Sequence, residues 1–306
     1  MPRLSGAPIS AGFIRTLFMR ANHDEKQVMV EVLESLMESL DGPTEWGNAG
    51  KVFRFAGDYA RALTCHERAL ELVVATEGRD SAAYADLSYT MSSTLDMAGR
   101  YEEAIQHCQE ALRVEELLYG LDSEEVAGTY YHIGWILNMQ DKPEEAIEWM
   151  LKALAIEEKT LGLWHKSTAA TLGGLCSAYR SAGQLKQAME YAQRGHAIEE
   201  RIYPKGASTL GPNHYNMGRI LLEMGKPDDA LAQFLEAAAI FEAAVGLKHR
   251  NTLRNRTFIG MALTACGRRE EARSHLQETL QWQKEGQVLP SDLKATERAI
   301  AEVSLN

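Results

Sequence analysis

The chain of 306 residues is long enough for one to three domains, and its hydrophobic content of 45% supports a large core. Its formal net charge of −11 argues against sequence-independent binding to nucleic acid and against adhesion to anionic membranes, because both depend on clustered Lys and Arg. The sequence has no apolar run of about 18 residues, so no membrane-spanning helix is expected.

The chain opens with two amphipathic segments, residues 6–20 and 22–41. The second places Met29, Leu33, Leu36 and Leu40 at helical spacing, which predicts one apolar face. We predict that residues 1–42 form N-terminal capping helices packed on the next helices of the chain. The alternative for helix 22–41 is a dimerisation or partner-docking surface, so a homodimer through this helix is a second prediction.

A repeat of 42 residues fills most of the chain. Its reference point is an alanine, found at Ala62, Ala104, Ala146, Ala188, Ala230 and Ala272. A small residue recurs 12 positions before each alanine and a Gly, or once Asp, recurs five before it. Small side chains let two helices approach to about 8–10 Å, and glycine ends a helix at low cost. The register predicts six helix pairs, over residues 43–84, 85–126, 127–168, 169–210, 211–252 and 253–294.

The end of the chain has its own polar helix, predicted over residues 291–304, so that residues 295–306 form the end of a C-terminal capping helix. Between the fourth and fifth repeats, Pro204 replaces a recurring glycine. Gly211 and Pro212 are expected to interrupt the start of the next helix. The loop of residues 203–215 is predicted to be either a harmless variant or a ligand contact beside Tyr215.

The first repeat shows the pattern of small and large residues most fully, with Trp46, Ala49, Gly50, Phe53, Gly57, Tyr59, Ala62 and Ala69. These positions resemble the tetratricopeptide repeat, which is ordinarily about 34 residues long. The 42-residue length is similar to that of the kinesin light chain subfamily. The resemblance implies an all-α, right-handed α-solenoid of six helix pairs with capping helices at both ends. Of the paired asparagines that kinesin light chains often carry, Asn216 alone is matched here.

In this family the first helix of each pair lines the inner, concave surface. The resemblance therefore implies a groove that binds a peptide or a partner domain, with an aromatic strip followed by an arginine strip. Such residues are enriched at protein interfaces. The predicted binding residues are Tyr89, Tyr131, Trp135, Asn138, Arg180, Tyr215, Asn216, Arg219 and Arg254.

Charge is uneven along the repeats. Residues 85–126 contain two basic and ten acidic side chains, whereas residues 169–210 contain five basic and three acidic ones. The acidic excess is interpreted either as a solvated outer face or as a surface that steers a basic partner.

The sequence offers little for catalysis or metal binding. The adjacent pairs Cys65–His66 and His107–Cys108 point in different directions on a helix. The four cysteines are expected to be buried free thiols of a cytoplasmic protein. No catalytic residue, cofactor or metal is predicted. The leading prediction is a non-enzymatic interaction scaffold; the alternatives are a peptide- or ligand-sensing regulator acting through a partner, and an enzyme or accessory protein of a biosynthetic pathway.

Overall fold

The computed structural model describes residues 11–18, 23–286 and 289–305, and every regular element in those ranges is a helix. The all-α prediction is therefore confirmed. The α-helices are α1 Ala11–Phe18, α2 His23–Leu36, α3 Gly42–Phe55, α4 Tyr59–Thr76, α5 Ala82–Met97, α6 Tyr101–Tyr119, α7 Glu124–Met139, α8 Pro143–Thr160, α9 Lys166–Ser181, α10 Leu185–Ile202, α11 Leu210–Glu223, α12 Pro227–Val245, α13 Arg250–Ala265, α14 Arg269–Glu285 and α15 Pro290–Leu305. None of these described helices is long and apolar enough to cross a membrane.

The chain forms two compact units, Met1–Lys142 with α1 to α7 and Pro143–Asn306 with α8 to α15. The division falls inside the third predicted repeat, 127–168. The limits of the six repeats stay a prediction. Each unit is a series of helices in which every helix packs on the next along the chain.

The first unit begins with α1 packed on α2 and α3. Its core buries Ile14, Phe18, Leu33 and Phe53, each with 3% or less of its surface exposed. The predicted helix 22–41 is shorter than expected, because α2 ends at Leu36 and a 3-10 turn follows over Met37–Ser39. Residues 6–10 and 19–22 of the predicted segments lie outside the described residues.

Helix ends follow the recurring glycines. Gly99 ends its helix with a φ of 75°, in the left-handed region that glycine adopts at low cost. Asp141, which stands where the other repeats have glycine, adopts the same conformation with a φ of 61°. Some helix starts are capped by side chains. The Ser81 hydroxyl accepts a hydrogen bond from the Tyr84 N–H at 3.2 Å, which satisfies one free N–H group.

In several repeats the small residue of the first helix faces a side chain 16 positions later, on the second helix. A Cβ at Gly218 would lie 2.7 Å from the ring of Phe234, and one at Gly260 would lie 2.4 Å from Leu276. Where the small residue is Ser92 instead, its partner is the smaller Cys108, 2.9 Å away. Small and large side chains thus compensate each other within a pair of helices, as close packing requires.

In the second unit, α15 packs on α13 and α14 as the predicted cap. Ala299 and Val303 of α15 are buried in one cluster with Phe234 and Leu276. The expected interruption at Gly211 and Pro212 is wrong, because both lie in the first turn of α11. A proline there sacrifices no helical hydrogen bond.

Candidate functional site

All nine predicted binding residues lie on first helices, and the two units hold different parts of the set. The first unit has Tyr89 on α5 and Tyr131, Trp135 and Asn138 on α7. The second unit has Arg180 on α9, Tyr215, Asn216 and Arg219 on α11, and Arg254 on α13.

In the first unit, Tyr89 packs against the ring of His132, with 5.0 Å between the ring centroids. Burial raises the pKa of Tyr89 to about 12, so its hydroxyl stays neutral. Tyr131 and Trp135 are half-buried. Asn138 is buried with 7% of its surface exposed, which leaves little of it to contact a partner.

Tyr89 also lines a cleft of about 400 Å³ between α5, the end of α6 and the start of α7. We call it the acidic cleft; its lining is Ala82, Ala85, Asp86, Tyr89, Glu115, Tyr119, Glu124, Glu125, Gly128 and Thr129. Four of these side chains are carboxylic acids, and none is basic. Tyr131, Trp135 and Asn138 are not part of its lining.

In the second unit, three predicted residues line one cleft of about 260 Å³. We call it the arginine cleft; its lining is Tyr215, Arg219, Arg254, Thr257, Phe258, Asp292 and Ala295. Arg180 and Asn216 are not part of this lining.

Arg219 lies between two aromatic rings. Its guanidinium carbon is 5.6 Å from the ring centroid of Tyr215 and 5.4 Å from that of Phe258, at distances typical of cation–π contacts. Its Nε is buried and has no hydrogen-bond partner among the described residues. Burial lowers the pKa of Arg219 below its ordinary value.

The other two arginines of the set are matched by acids. Arg254 donates two hydrogen bonds to Asp292, from Nε to Oδ1 at 2.9 Å and from Nη2 to Oδ2 at 3.1 Å. Arg180 forms an ion pair with Glu223 at 2.9 Å. Arg219 is therefore the arginine of the set whose charge the described residues match least.

A family model of the tetratricopeptide repeat matches residues 44–116, 91–159, 125–201 and 209–285, which together cover more than half of the chain. The chain belongs to the tetratricopeptide repeat family. No curated protein matches the chain in sequence.

Three solved structures illustrate the likeness in fold. A Podosopora anserina kinesin light chain-like protein of nearly identical TPR-like repeats has 18% identity and a TM-score of 0.58, over 69% of this chain and 98% of that one. BtubC (BKLC) from P. vanneervenii has 19% identity and a TM-score of 0.59, over 78% of this chain and 89% of that one. RapI in its apo form has 13% identity and a TM-score of 0.60, over 95% of this chain and 89% of that one. At these identities the likeness shows the fold.

Membership of the tetratricopeptide repeat family confirms the resemblance stated from the sequence and supports a protein-interaction scaffold, since such repeats present extended binding surfaces. The fold is typically non-enzymatic. Which of its surfaces binds a partner is a separate question, because one repeat fold serves many unrelated complexes.

Sequence reasoning missed the residues that shape both clefts, Glu115, Thr129, Phe258 and Asp292. One signal pointed to the first pair. Glutamates recur at 42-residue spacing as Glu115, Glu157 and Glu199, and each faces a hydroxyl or amide residue 14 positions later: Thr129, Thr171 and Asn213.

Proposed function

We propose that this tetratricopeptide repeat protein is a non-enzymatic scaffold that binds a partner polypeptide on the faces of its first helices. Within the second unit, we assign the arginine cleft as the place where a carboxylate of the partner binds. Within the first unit, we assign Tyr89, Tyr131 and Trp135 to the same partner-binding role, while Asn138 is too buried to take part.

The observation that carries this proposal is the environment of Arg219. A buried guanidinium donor without a hydrogen-bond partner costs free energy, commonly about 1–3 kcal/mol, which a bound acceptor recovers. The cleft also has a charge imbalance, since it contains Arg219 and Arg254 but one acid, Asp292. A ligand carboxylate supplies both the acceptor and the missing charge.

The walls of the cleft favour a polypeptide as the source of that carboxylate. Tyr215 and Phe258 meet edge to face with 5.3 Å between their ring centroids, so they form a fixed apolar surface beside the charge. Aromatic residues next to an arginine are typical of the few positions that dominate binding energy at protein interfaces.

Three of the four cysteine thiols support a non-enzymatic role; Cys266 is half-buried, so the expectation that all four are buried is wrong for that residue. Burial raises the pKa of Cys65 and Cys108 to about 12 and that of Cys176 to about 11, so these thiols stay protonated and unreactive near neutral pH. Among the described residues, no three His, Cys, Asp or Glu side chains are grouped closely enough to hold a metal ion.

Selection from a phage-displayed library of random peptides tests the proposal. We expect the selected peptides to share an acidic residue, and we expect Arg219→Gln to weaken their binding at least about tenfold, since a charge-assisted hydrogen bond is lost. The matched control is Arg268→Gln, which removes an exposed arginine paired with Glu271 at 2.8 Å on the same unit. Peptides without acidic residues, or equal binding to both variants, would refute the assignment of the arginine cleft.

A further inference from the structure

The acidic cleft of the first unit contains a carboxylate that the fold does not satisfy. Glu115 has 6% of its surface exposed and lines the cleft, and its Oε2 has no hydrogen-bond partner among the described residues. Three further acids, Asp86, Glu124 and Glu125, are exposed around it. A buried acid without a partner is costly, so its position in an open cleft points to a ligand.

The equivalent residue of the next repeat shows how the fold can satisfy one carboxylate oxygen at this position. Glu157 is also buried, and its Oε1 accepts a hydrogen bond of 3.0 Å from Thr171. Thr129 stands at the same place opposite Glu115, but its hydroxyl is among the buried groups without a hydrogen-bond partner. The carboxylate of Glu115 therefore remains available to a donor that enters the cleft.

The neighbouring Gly128 helps to keep this space open. A Cβ added at Gly128 would meet nothing within 4 Å, so the helix itself does not require glycine there. Glycine in a helix interior costs about 1 kcal/mol relative to alanine. A side chain at this position would extend into the cleft, because Gly128 is part of its lining.

The chemistry of the lining selects the ligand. Four acids without a basic residue in the lining favour a cationic ligand. Among the described residues, no three metal-binding side chains are grouped closely enough to hold a metal ion, which favours an organic cation. Of the four acids, Asp86 forms an ion pair with Lys51, which lies 3.9 Å away and lines a different cleft. Within the described part of the chain, no ion pair is formed by Glu115, Glu124 or Glu125.

Two tyrosines in the lining indicate whether a guanidinium or an ammonium group fits the cleft better. Tyr89 and Tyr119 line the same cleft as the carboxylates. A guanidinium group stacks on aromatic rings, donates two parallel hydrogen bonds to one carboxylate and loses its weak hydration easily, whereas an ammonium is a strongly hydrated point charge. The combination of rings and carboxylates therefore fits arginine better than lysine.

We propose that the acidic cleft binds the side chain of an arginine of the partner polypeptide, with its guanidinium against Glu115. This inference rests on the proposed function only in taking the ligand to be a polypeptide. It uses residues of the first unit alone, so it stands or fails separately from the arginine cleft.

The test is a titration of the full chain with N-acetyl-arginine methylamide, followed by amide chemical shifts. We expect binding of about millimolar strength, in keeping with a single side chain, with shifts confined to α5, the end of α6 and the start of α7. The citrulline analogue has nearly the same shape as the arginine compound but no charge. The lysine analogue has the charge but lacks the planar group that donates two parallel hydrogen bonds. Binding of either as tightly as the arginine compound would overturn the proposal.

Two variants locate the site. Gly128→Leu fills the cleft without removing a charge, and we expect it to abolish the shifts. Its matched control is Gly173→Leu on α9, where an added Cβ also meets nothing within 4 Å and which lies outside the cleft. Glu115→Gln should weaken binding at least about fivefold, since it removes a charged acceptor. Unchanged binding by Gly128→Leu, with its melting temperature intact, would place the ligand elsewhere.

The dependence on pH gives an independent readout. The titratable groups that face Glu115 are Asp86 and Tyr89 of α5, Cys108, Glu116 and Tyr119 of α6, and Glu124 and Glu125 of α7. Burial raises the pKa of Glu115 to about 7. Arginine binding should therefore strengthen several-fold from pH 6 to pH 8 as Glu115 ionises, and Glu115→Gln should remove this change. A wild-type affinity that stays constant over this range would contradict the role of Glu115.

Discussion

Thr171 donates a 3.0 Å hydrogen bond to the buried carboxylate of Glu157, which joins α9 to α8 in the second unit. A similar bond recurs one repeat later, where the side-chain amide of Asn213 donates to Glu199 at 3.0 Å. At Glu115 the sequence retains both residue types, but Oε2 of Glu115 is buried without a hydrogen-bond partner and the residue lines an open cleft. The series therefore separates a carboxylate that holds helices together from one that faces an open cleft, and the two are expected to respond differently to mutation.

The first prediction concerns the stability of Glu115→Gln. The pKa of Glu115 in the folded chain is about 7, above its ordinary 4.5, because burial disfavours the charged form. Between pH 4.5 and about pH 7, the folded state keeps a proton on Glu115 that the unfolded state has lost. The free energy of unfolding therefore falls as the pH rises across this range. We expect Glu115→Gln to be about 1–3 kcal/mol more stable than wild type at pH 8 and similar to it at pH 5, measured by urea unfolding.

Glu67→Gln is the matched control for this measurement. It makes the same change in net charge on α4 of the same unit, at an exposed position. Its effect on unfolding is expected to be small at both pH values, as for most substitutions away from buried features. If Glu115→Gln proves less stable than wild type at pH 8, then the carboxylate is structural and its proposed role in ligand binding is lost.

The second prediction concerns packing between Gly218 and Phe234. Because a Cβ at Gly218 would lie 2.7 Å from the ring of Phe234, Gly218→Ala should destabilise the chain by about 1–3 kcal/mol. Phe234→Leu removes the clashing atoms, so the double variant should be more stable than the sum of the single effects predicts. Additive effects in denaturant unfolding would show that the two side chains do not compete for this space.

Gly173→Ala is the control for the effect of glycine itself. It lies inside α9, and an added Cβ there meets nothing within 4 Å. The same substitution should therefore stabilise the chain by about 0.4–1 kcal/mol, because it reduces the freedom of the unfolded state.

The third prediction concerns how α15 is held on the second unit. The hydroxyl oxygens of Thr257 and Thr296 are 2.7 Å apart, and both residues are buried. Thr296→Val should lower the free energy of unfolding by about 1 kcal/mol, because it removes one partner of a buried hydrogen bond. The double variant Thr257→Val with Thr296→Val should lose less stability than the sum of the two single variants, because neither hydroxyl is then left without a partner. Thr264→Val is the control, because that hydroxyl bonds Gly260 within its own helix. A coupling energy near zero in the double-mutant cycle would contradict the prediction.

The helices could be predicted from the sequence better than the clefts could. Recurring glycines and alanines reflect local events, namely where a helix ends and where two helices touch, so residues such as Gly99 and Gly218 could be placed from spacing alone. Pairing between side chains on different helices depends on their relative rotation. Arg254 reaches Asp292, 38 residues away, and no spacing pattern indicates that partner. Nor could spacing show that Arg219 and Glu115 would be left with unmatched groups.

The last prediction concerns competition for Arg254 in the arginine cleft. Asp292 occupies both donors of the Arg254 fork, so a carboxylate bound in the cleft must share Arg254 with it or bind to Arg219 alone. Asp292→Asn removes this competing charge and leaves two arginines without an acid in the lining. We therefore expect acidic peptides selected on the wild-type chain to bind Asp292→Asn about three- to tenfold more tightly, even though the variant itself is less stable.

A matched change elsewhere separates this local effect from the loss of one negative charge. Glu271→Gln alters the net charge of the chain by the same amount and removes the partner of Arg268, which is exposed on the same unit. Its effect on peptide affinity should be slight and should disappear at high salt, because exposed charges are screened over about 8–10 Å. A gain shared equally by both variants would show long-range steering rather than competition. Weaker binding by Asp292→Asn would show instead that the wild-type peptide depends on Arg254 held in place by Asp292.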